Sequence, residues 1–395
     1  MDSRFPSLLV SVPKGAIDLS WGHPSERLHP KADVEKAIAH MFKTKGVIPL
    51  QYGPEQGFGP LLESLASFLS NEPGYTLPVT PECLYVTAGA SQALDMLCTL
   101  LTQAGDVIYV EEPTYYLVSK IFNDHHLRMV GVPTDAHGIR PDALEVMLND
   151  TRFPNPTILY TIPTFHNPMG NVLPAERRKA LVELAKRHNF TIASDEAYHL
   201  LYYGKIPPSP LATFDTSKDG VVVSLGSFSK ILAPGLHLGW IQAKPPIVKR
   251  FVDMGLSTSG GSMNQFTANV VHSVIELGLL DKNIAFLRKT YSERVQAMSE
   301  ALKRHLSDEV EFIMPEGGYF FWLRCKKNID TEKLWPIAME MGVTFRPGQA
   351  FSPSRVFPRE FRLTFALCES DVIEEGVRRL AEAFSHYHGT YPARA

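Results

Sequence analysis

The 395-residue chain has no apolar stretch approaching the roughly 20 residues that a bilayer-spanning helix requires, so no membrane partner is expected. Its four cysteines, Cys83, Cys98, Cys325 and Cys368, show no metal-ligand spacing and are too sparse for a disulfide framework. They read as buried thiols of a reduced protein, with no metal and a cytoplasmic location expected. Charge of one sign is also lacking. A net charge of −3 gives no electrostatic reason to expect nucleic acid or an acidic surface as partner. The opening MDSRFPSLLVSVPKG lacks a clean basic segment, a long apolar core and a cleavage site, so no signal peptide is read there. Repeats, low-complexity segments and long linkers are missing too.

What is present is an ordinary globular composition, 44% apolar and 21% charged, at a length that suits two lobes. Seven β-rich runs read as buried strands: LYVT (84–87), VIYV (107–110), RMVGV (128–132), TILYT (157–161), TIAS (191–194), VVVSL (221–225) and LGWIQ (238–242). Helical patterns such as Ser91–Gln103 and Pro174–His188 lie between them. This alternation predicts an α/β fold with a mostly parallel sheet covered on both faces. After Met263 the pattern turns helical, with a long amphipathic run from about Asp281 to His305. A smaller α/β lobe follows, holding VEFIMPEGGYFFWLR, a helix near Thr331–Met341, FRLTFAL and a closing helix from Ser370. The expected division is 46–280 for the large unit and 1–45 with 281–395 for the small one, the first 45 residues packing on the second lobe. Ligands of open α/β sheets bind beyond the carboxyl ends of the strands, so the loops there are where chemistry is sought.

Five such loops carry reactive or anion-binding residues. In GSFSKILAPGLHLGW (226–240), Lys230 follows an apolar strand and the hydroxyls of Ser227 and Ser229. A lysine near a strand end is usually a solvated charge, but one in an apolar pocket loses its proton readily and attacks carbonyls. The two serines can donate to a phosphate beside it. In ASDEAYHLLYY (193–203), Asp195 ends a β-branched strand, where a buried acid needs a positive partner such as a protonated pyridine nitrogen. Tyr198 lies three residues on, positioned for the phenolic oxygen of the same ring. The bland alternative is that Asp195 caps the following helix. In YTIPTFHNPMGNVLP (160–174), Asn167 supplies an amide to a phenolate oxygen and a carboxylate, and Asn-Pro and Met-Gly also form a turn. In VTAGASQALDML (86–97), Gly89 closes a strand and Ala90-Ser91 open a helix whose N–H groups make an anion site. In EEPTYYLV (111–118), Tyr115 or Tyr116 either stacks on a flat ring or simply packs.

With these loops goes a series in fixed order: LSWGHPS, LQYGPEQGFGPLLESLASFL, TAGASQALDML, GDVIYVEEPTYY, the HNP loop, SDEAYHLLYY, SFSK followed by PGL, SGGSMNQ, PEGGYFFWL and FRLTFA. Over nearly its whole length the chain resembles the class I/II aminotransferases of PLP-dependent fold type I, nearest their 2-aminoadipate/kynurenine branch. The resemblance implies pyridoxal 5′-phosphate (PLP) as cofactor, bound as a Schiff base on Lys230, which also shuttles protons. It implies that Asp195 pairs with the ring nitrogen, that Tyr198 and Asn167 contact the phenolic oxygen, and that Tyr115 stacks on the ring. The phosphate falls among Ala90, Ser91, Ser227 and Ser229, with Tyr52 reaching in from the partner subunit of a homodimer. Arg362 matches the arginine that takes the substrate carboxylate bidentately, a role resting on the resemblance, since alone it reads as a surface charge on a strand edge. Trp21, Gly22, His23, Tyr319 and Phe320 fall along the substrate pocket by the same resemblance. The fold implied is a large domain with a seven-stranded sheet plus a smaller α/β domain.

One position departs from the pattern. Where the family has a phosphate-holding arginine after PGL, this chain has His237, a shorter and titratable donor. Two readings stay open there: a tolerated exchange, or a shift of chemistry away from transamination. The first reading is an aminotransferase that moves an amino group from an amino acid to PLP, leaving pyridoxamine phosphate (PMP), and from there to a 2-oxo acid. The second keeps PLP and Lys230 but eliminates, substitutes, decarboxylates or oxidises. The third, an aminotransferase-like domain of a transcription regulator, needs a basic winged-helix segment ahead of the first strand, for which the sequence shows no room.

Overall fold

The computed structural model describes residues 15–391; the reading of the opening residues as lacking a signal peptide lies mostly outside that range. All seven predicted strands are present in one sheet. Its order is Leu84–Thr87, Gly239–Gln242, Val222–Ser227, Thr191–Asp195, Ile158–Thr161, Val107–Glu112, Arg128–Asp135 and Gly138–Ile139. The eighth member, Gly138–Ile139, goes beyond the expected seven. It is two residues long and folds back antiparallel on Thr134–Asp135, too short for any sequence period to reveal. The five strands from Val222–Ser227 to Arg128–Asp135 run parallel, whereas Gly239–Gln242 is antiparallel to both of its neighbours.

Helices cover both faces, which is why the central strands are apolar throughout. One face packs Ala93, Leu94, Leu97 and Phe122 against Ile108, Val110, Tyr160 and Val223. The other packs Leu144, Leu181, Val182 and Ala185 against Tyr109, Leu159 and Ile192. Helix Ala90–Leu101 earns its place by apolar residues at three- and four-residue steps, with Ala93, Leu94, Met96, Leu97 and Cys98 buried.

The smaller lobe is a four-stranded antiparallel sheet in the order Val310–Phe312, Phe320–Cys325, Glu360–Thr364, Arg346–Pro347. The helices Leu279–Leu306, Thr331–Glu340 and Ser370–Thr390 belong to the same lobe. The first residues divide between two neighbours. Ile17–Asp18 pairs with Val343–Thr344 of the small lobe, and Leu19 bridges Thr344 and Thr364 by backbone hydrogen bonds. Helix Lys31–Lys45, in contrast, lies on helix Gln265–Glu276, presenting a narrow stripe centred on Ala37 and Met41. Residues 19–23 thereby pass from the small sheet towards the strand ends of the large one.

Candidate active site

The carboxyl ends of the parallel strands gather the predicted loops along one edge. Gly89, Gly226 and Gly239 meet there so closely that a Cβ on Gly239 would lie 2.5 Å from the Gly226 carbonyl oxygen and 2.8 Å from the Gly89 Cα. This backbone contact sets the N-terminus of helix Ala90–Leu101 beside Ser227. Gly89 itself has φ +86 and open space in front of it, so the first turn, with Ala90 and the exposed Ser91, is free to meet an anion. Ser227 is buried and its Oγ accepts the Ser229 N–H at 3.1 Å, which leaves its own proton to donate.

Lys230 lies on the turn after that strand. Its Nζ donates to the Gly22 carbonyl oxygen at 3.0 Å and stands 6.0 Å from the Tyr198 ring and 5.7 Å from the Tyr319 ring. No carboxylate forms an ion pair with it among the described residues. Burial pulls its pKa down to about 8; Asp195 opposes that fall and Arg362 adds to it. The amine therefore holds a far larger neutral fraction near neutral pH than a solvated lysine does.

Asp195 ends strand Thr191–Asp195. Tyr160 donates to its Oδ2 at 2.8 Å and the Ala197 N–H donates to its Oδ1 at 3.2 Å. Residues 197–200 form a turn and not a helix, so the cap reading of Asp195 has no helix to serve. Burial raises its pKa despite those two donors. A buried carboxyl in that state calls for a cation. Tyr160 was hidden in the sequence within an apolar strand, and its hydroxyl becomes visible as a partner only once the two strands are paired. Tyr198, buried, lies edge-on to Tyr319 and Phe320 at ring-centroid distances of 5.3 and 5.7 Å, and burial pushes its phenol well above the ordinary range. Tyr115 lies beside Tyr116, with its phenol pushed up to about 12 by burial first, then by Tyr116 and Asp195.

Arg362 corrects the surface-charge reading. It sits in the strand Glu360–Thr364, 2% exposed, with its guanidinium carbon 4.2 Å from the Phe320 centroid and 4.8 Å from that of Phe351. Nη1 donates to Asn167 Oδ1 at 2.6 Å, Nη2 donates to the Ser20 carbonyl, and Nε has no partner. Burial lowers its pKa to about 10, so it stays cationic at neutral pH, yet no carboxylate pairs with it among the described residues. Asn167 is buried, and the loop holding it is braced by Gly170, where a Cβ would lie 2.7 Å from the Phe320 carbonyl oxygen. Beneath it, the buried His166 Nε2 lies 3.0 Å from Glu111 Oε2, a pair that the sequence reading did not single out. Gly22 has no room for a side chain, since a Cβ would fall 2.6 Å from the Phe320 ring. His23 is held down to about pKa 4 by burial and by Lys230, and is neutral at physiological pH.

Two predicted site residues stand apart from this cluster. Tyr52 is 86% exposed, on a loop whose Pro54 carbonyl accepts the Ser262 N–H. His237 is exposed at φ 43, ψ 54, with its carbonyl held by the Asn264 side chain. It precedes Gly239 and so lies at the same sheet edge as Ala90 and Ser227.

An amine whose pKa is drawn down to about 8, a buried acid short of a cation, a free helix N-terminus and an arginine short of a carboxylate fit a ring with a basic nitrogen, an anionic tail and a carboxylate-bearing substrate. Comparison with known proteins agrees. The profile of the family described as aminotransferase class I and II matches residues 15–380. An aromatic-amino-acid aminotransferase of Thermococcus litoralis is 34% identical over 93% of this chain and 87% of its own length. A 2-aminoadipate transaminase of Thermus thermophilus is 32% identical over 93% and 90%. The solved structure of Pyrococcus horikoshii kynurenine aminotransferase in complex with PMP superposes with a TM-score of 0.87 at 31% identity, covering 97% of this chain and 93% of that one. The chain is a PLP-dependent enzyme of fold type I that transfers an amino group between an amino acid and a 2-oxo acid, and it belongs to the class I and II aminotransferase family.

Proposed function

We propose that Lys230 is the residue that holds PLP covalently and moves the substrate's α-proton. The observation that carries this is an amine with its pKa drawn to about 8, whose only hydrogen bond among the described residues is to a carbonyl, beside Asp195 at the ligand-binding edge of the sheet. Asp195 would pair with the ring nitrogen, and Tyr198 and Asn167 with the phenolic oxygen. Tyr115 would cover the ring face, while Ala90, Ser91, Ser227, Ser229 and His237 would hold the phosphate. When bound, PLP supplies the electron sink that stabilises the carbanion left by α-proton loss. Arg362 would grip the α-carboxylate with Asn167, and Gly22 would let the substrate lie close to the Phe320 ring. Because His23 is neutral above about pH 4, only Asp195 and Arg362 bias the Lys230 charge around neutrality.

The sign of a pH effect follows. Only the unprotonated amine attacks the PLP aldehyde, so capture of PLP by apoprotein should rise about tenfold per pH unit below pH 8 and level off above it. Stopped-flow absorbance at fixed PLP measures this; a rate flat from pH 6 to 9 would remove Lys230 from the role. The PLP dissociation constant carries the His237 reading. His237→Arg restores a permanent fork of donors and should tighten PLP about tenfold, and His237→Ala should loosen it by a similar factor. Equal affinities for all three proteins would mean that His237 does not serve the phosphate.

The same reading makes the enzyme a cytoplasmic homodimer with shared sites. It is supported by the exposed apolar run Val47, Ile48, Leu50 and Tyr52, with Phe42 and Phe266 also exposed nearby, a surface that a lone chain would expose to water. Four free thiols are consistent with a reducing compartment, and no helix among the described residues is long and apolar enough to cross a membrane. Sedimentation at twice the 44.1 kDa of one chain, falling to the single mass in Leu50→Asp, is the expected result. A wild-type monomer that turns over would overturn it.

A further inference from the structure

Arg346 has no part in the chemistry above. It lies in the two-residue strand Arg346–Pro347, in direct antiparallel register with Arg362. Residues paired in this way project from the same face of a sheet, with Cα atoms about 4.5–5.5 Å apart. The guanidinium carbon of Arg346 lies 5.3 Å from the Trp21 ring centroid and 5.2 Å from that of Tyr116. Tyr116 in turn meets Phe351, the ring that lies 4.8 Å from the Arg362 guanidinium carbon. The two guanidinium groups therefore share one aromatic frame.

Neither is neutralised. Elsewhere this chain gives deeply buried arginines an acid: Arg294 meets Glu369 at 2.6 Å, and Arg178 lies 3.9 Å from Glu196 with four further acceptors. Arg346 pairs with no carboxylate among the described residues, and its Nε is buried without a hydrogen-bond partner. Two adjacent cations of like sign repel, and partial burial between rings removes water that would screen them. A ligand with two anionic groups offsets both charges at once, whereas a monocarboxylate offsets one.

We infer that Arg346, framed by Trp21 and Tyr116, is a specificity-determining residue that receives the side-chain carboxylate of a dicarboxylic amino acid or 2-oxo acid while Arg362 holds the α-carboxylate. The inference rests on the reading of Arg362 as the α-carboxylate anchor. A site built around an ionic partner discriminates strongly against analogues that lack it, because its own charge is then left unpaired.

The test uses PLP-loaded enzyme and follows conversion to the pyridoxamine form by absorbance, with L-glutamate and L-2-aminoadipate set against L-leucine and L-phenylalanine. Arg346→Gln should lower kcat/KM for the dicarboxylic donors about 100-fold, mainly through KM. It should lower it at most about fivefold for the apolar donors, and Arg346→Lys should recover part of the difference. A thermal melt within a few degrees of wild type shows that the variants fold. An equal fall for all four donors would assign Arg346 to bracing or to the α-carboxylate and overturn the inference. So would wild-type enzyme that converts the apolar donors but neither dicarboxylic one, an outcome that leaves Lys230 and Arg362 in their roles. Wild-type enzyme that converts no donor at all would strike both readings together.

Discussion

Lys230→Ala should bind PLP without a covalent link and lose turnover by about 10⁴-fold or more, because the substitution removes both the nucleophile and the base that moves the α-proton. The fold should be little affected. Lys230 Nζ makes one hydrogen bond, to the Gly22 carbonyl, worth about 1 kcal/mol net, and its removal also relieves a buried amine whose charged form burial already disfavours. Turnover with an amino donor and a 2-oxo acid, read beside a thermal melt, measures both. A melt preserved with activity within tenfold of wild type would show that the proton moves through another group.

Asp195→Asn should retain PLP and the local fold while kcat falls about 100-fold or more, with KM nearly unchanged. Asparagine keeps the shape: its Oδ1 can still accept from the Ala197 N–H, while its Nδ2 meets the Tyr160 hydroxyl as a donor, so that hydrogen bond reverses direction. What it lacks is the negative charge, which a buried site makes worth several kcal/mol towards a cationic ring nitrogen. Burial raises the Asp195 pKa in the absence of such a cation, so the pairing should draw that pKa back down, keeping the carboxylate ionised at neutral pH. The effect should appear in the chemical step alone, since the charge matters most as the carbanion forms. Near-normal kcat in the asparagine variant would mean that the ring nitrogen has a different partner.

The large sheet was legible because its strands are buried on both faces and read as short apolar runs bounded by turn residues. Their ends were less so: Glu111, Glu112, Asp195, Gly226 and Ser227 belong to strands but are not apolar, the three acids being held by hydrogen bonds from the Ile162 N–H, the Ser352 hydroxyl and the Tyr160 hydroxyl. The Gly138–Ile139 hairpin strand and the Arg346–Pro347 strand are two residues long and leave no period to read. Lys230, Asp195 and Asn167 could be singled out because each lies at or a few residues beyond the carboxyl end of a strand. Arg362 was ambiguous since a lone charge in FRLTFA looks like an edge position, and only the pairing of its strand on both sides buries it. Tyr160 was invisible for the opposite reason, a hydroxyl within a run that otherwise reads as core. Arg346 gave no signal at all, because its environment is made by Trp21 and Tyr116, each more than 200 positions away in sequence.

A second lysine gives the central claim a built-in competitor. Lys45 Nζ is buried and, unlike that of Lys230, has no hydrogen-bond partner; it lies 5.0 Å from the Phe58 ring and has its pKa lowered by burial. It lacks what surrounds Lys230: it sits at the end of helix Lys31–Lys45, near Glu276 and not at the strand ends that hold Asp195 and the helix N-terminus at Ala90. Borohydride reduction of the PLP-loaded enzyme, followed by peptide mapping by mass spectrometry, separates the two directly. The reduced pyridoxyl adduct should fall on Lys230 alone, in near-stoichiometric yield; an adduct on Lys45 or any other lysine, with Lys230 unmodified, would contradict the assignment of the site.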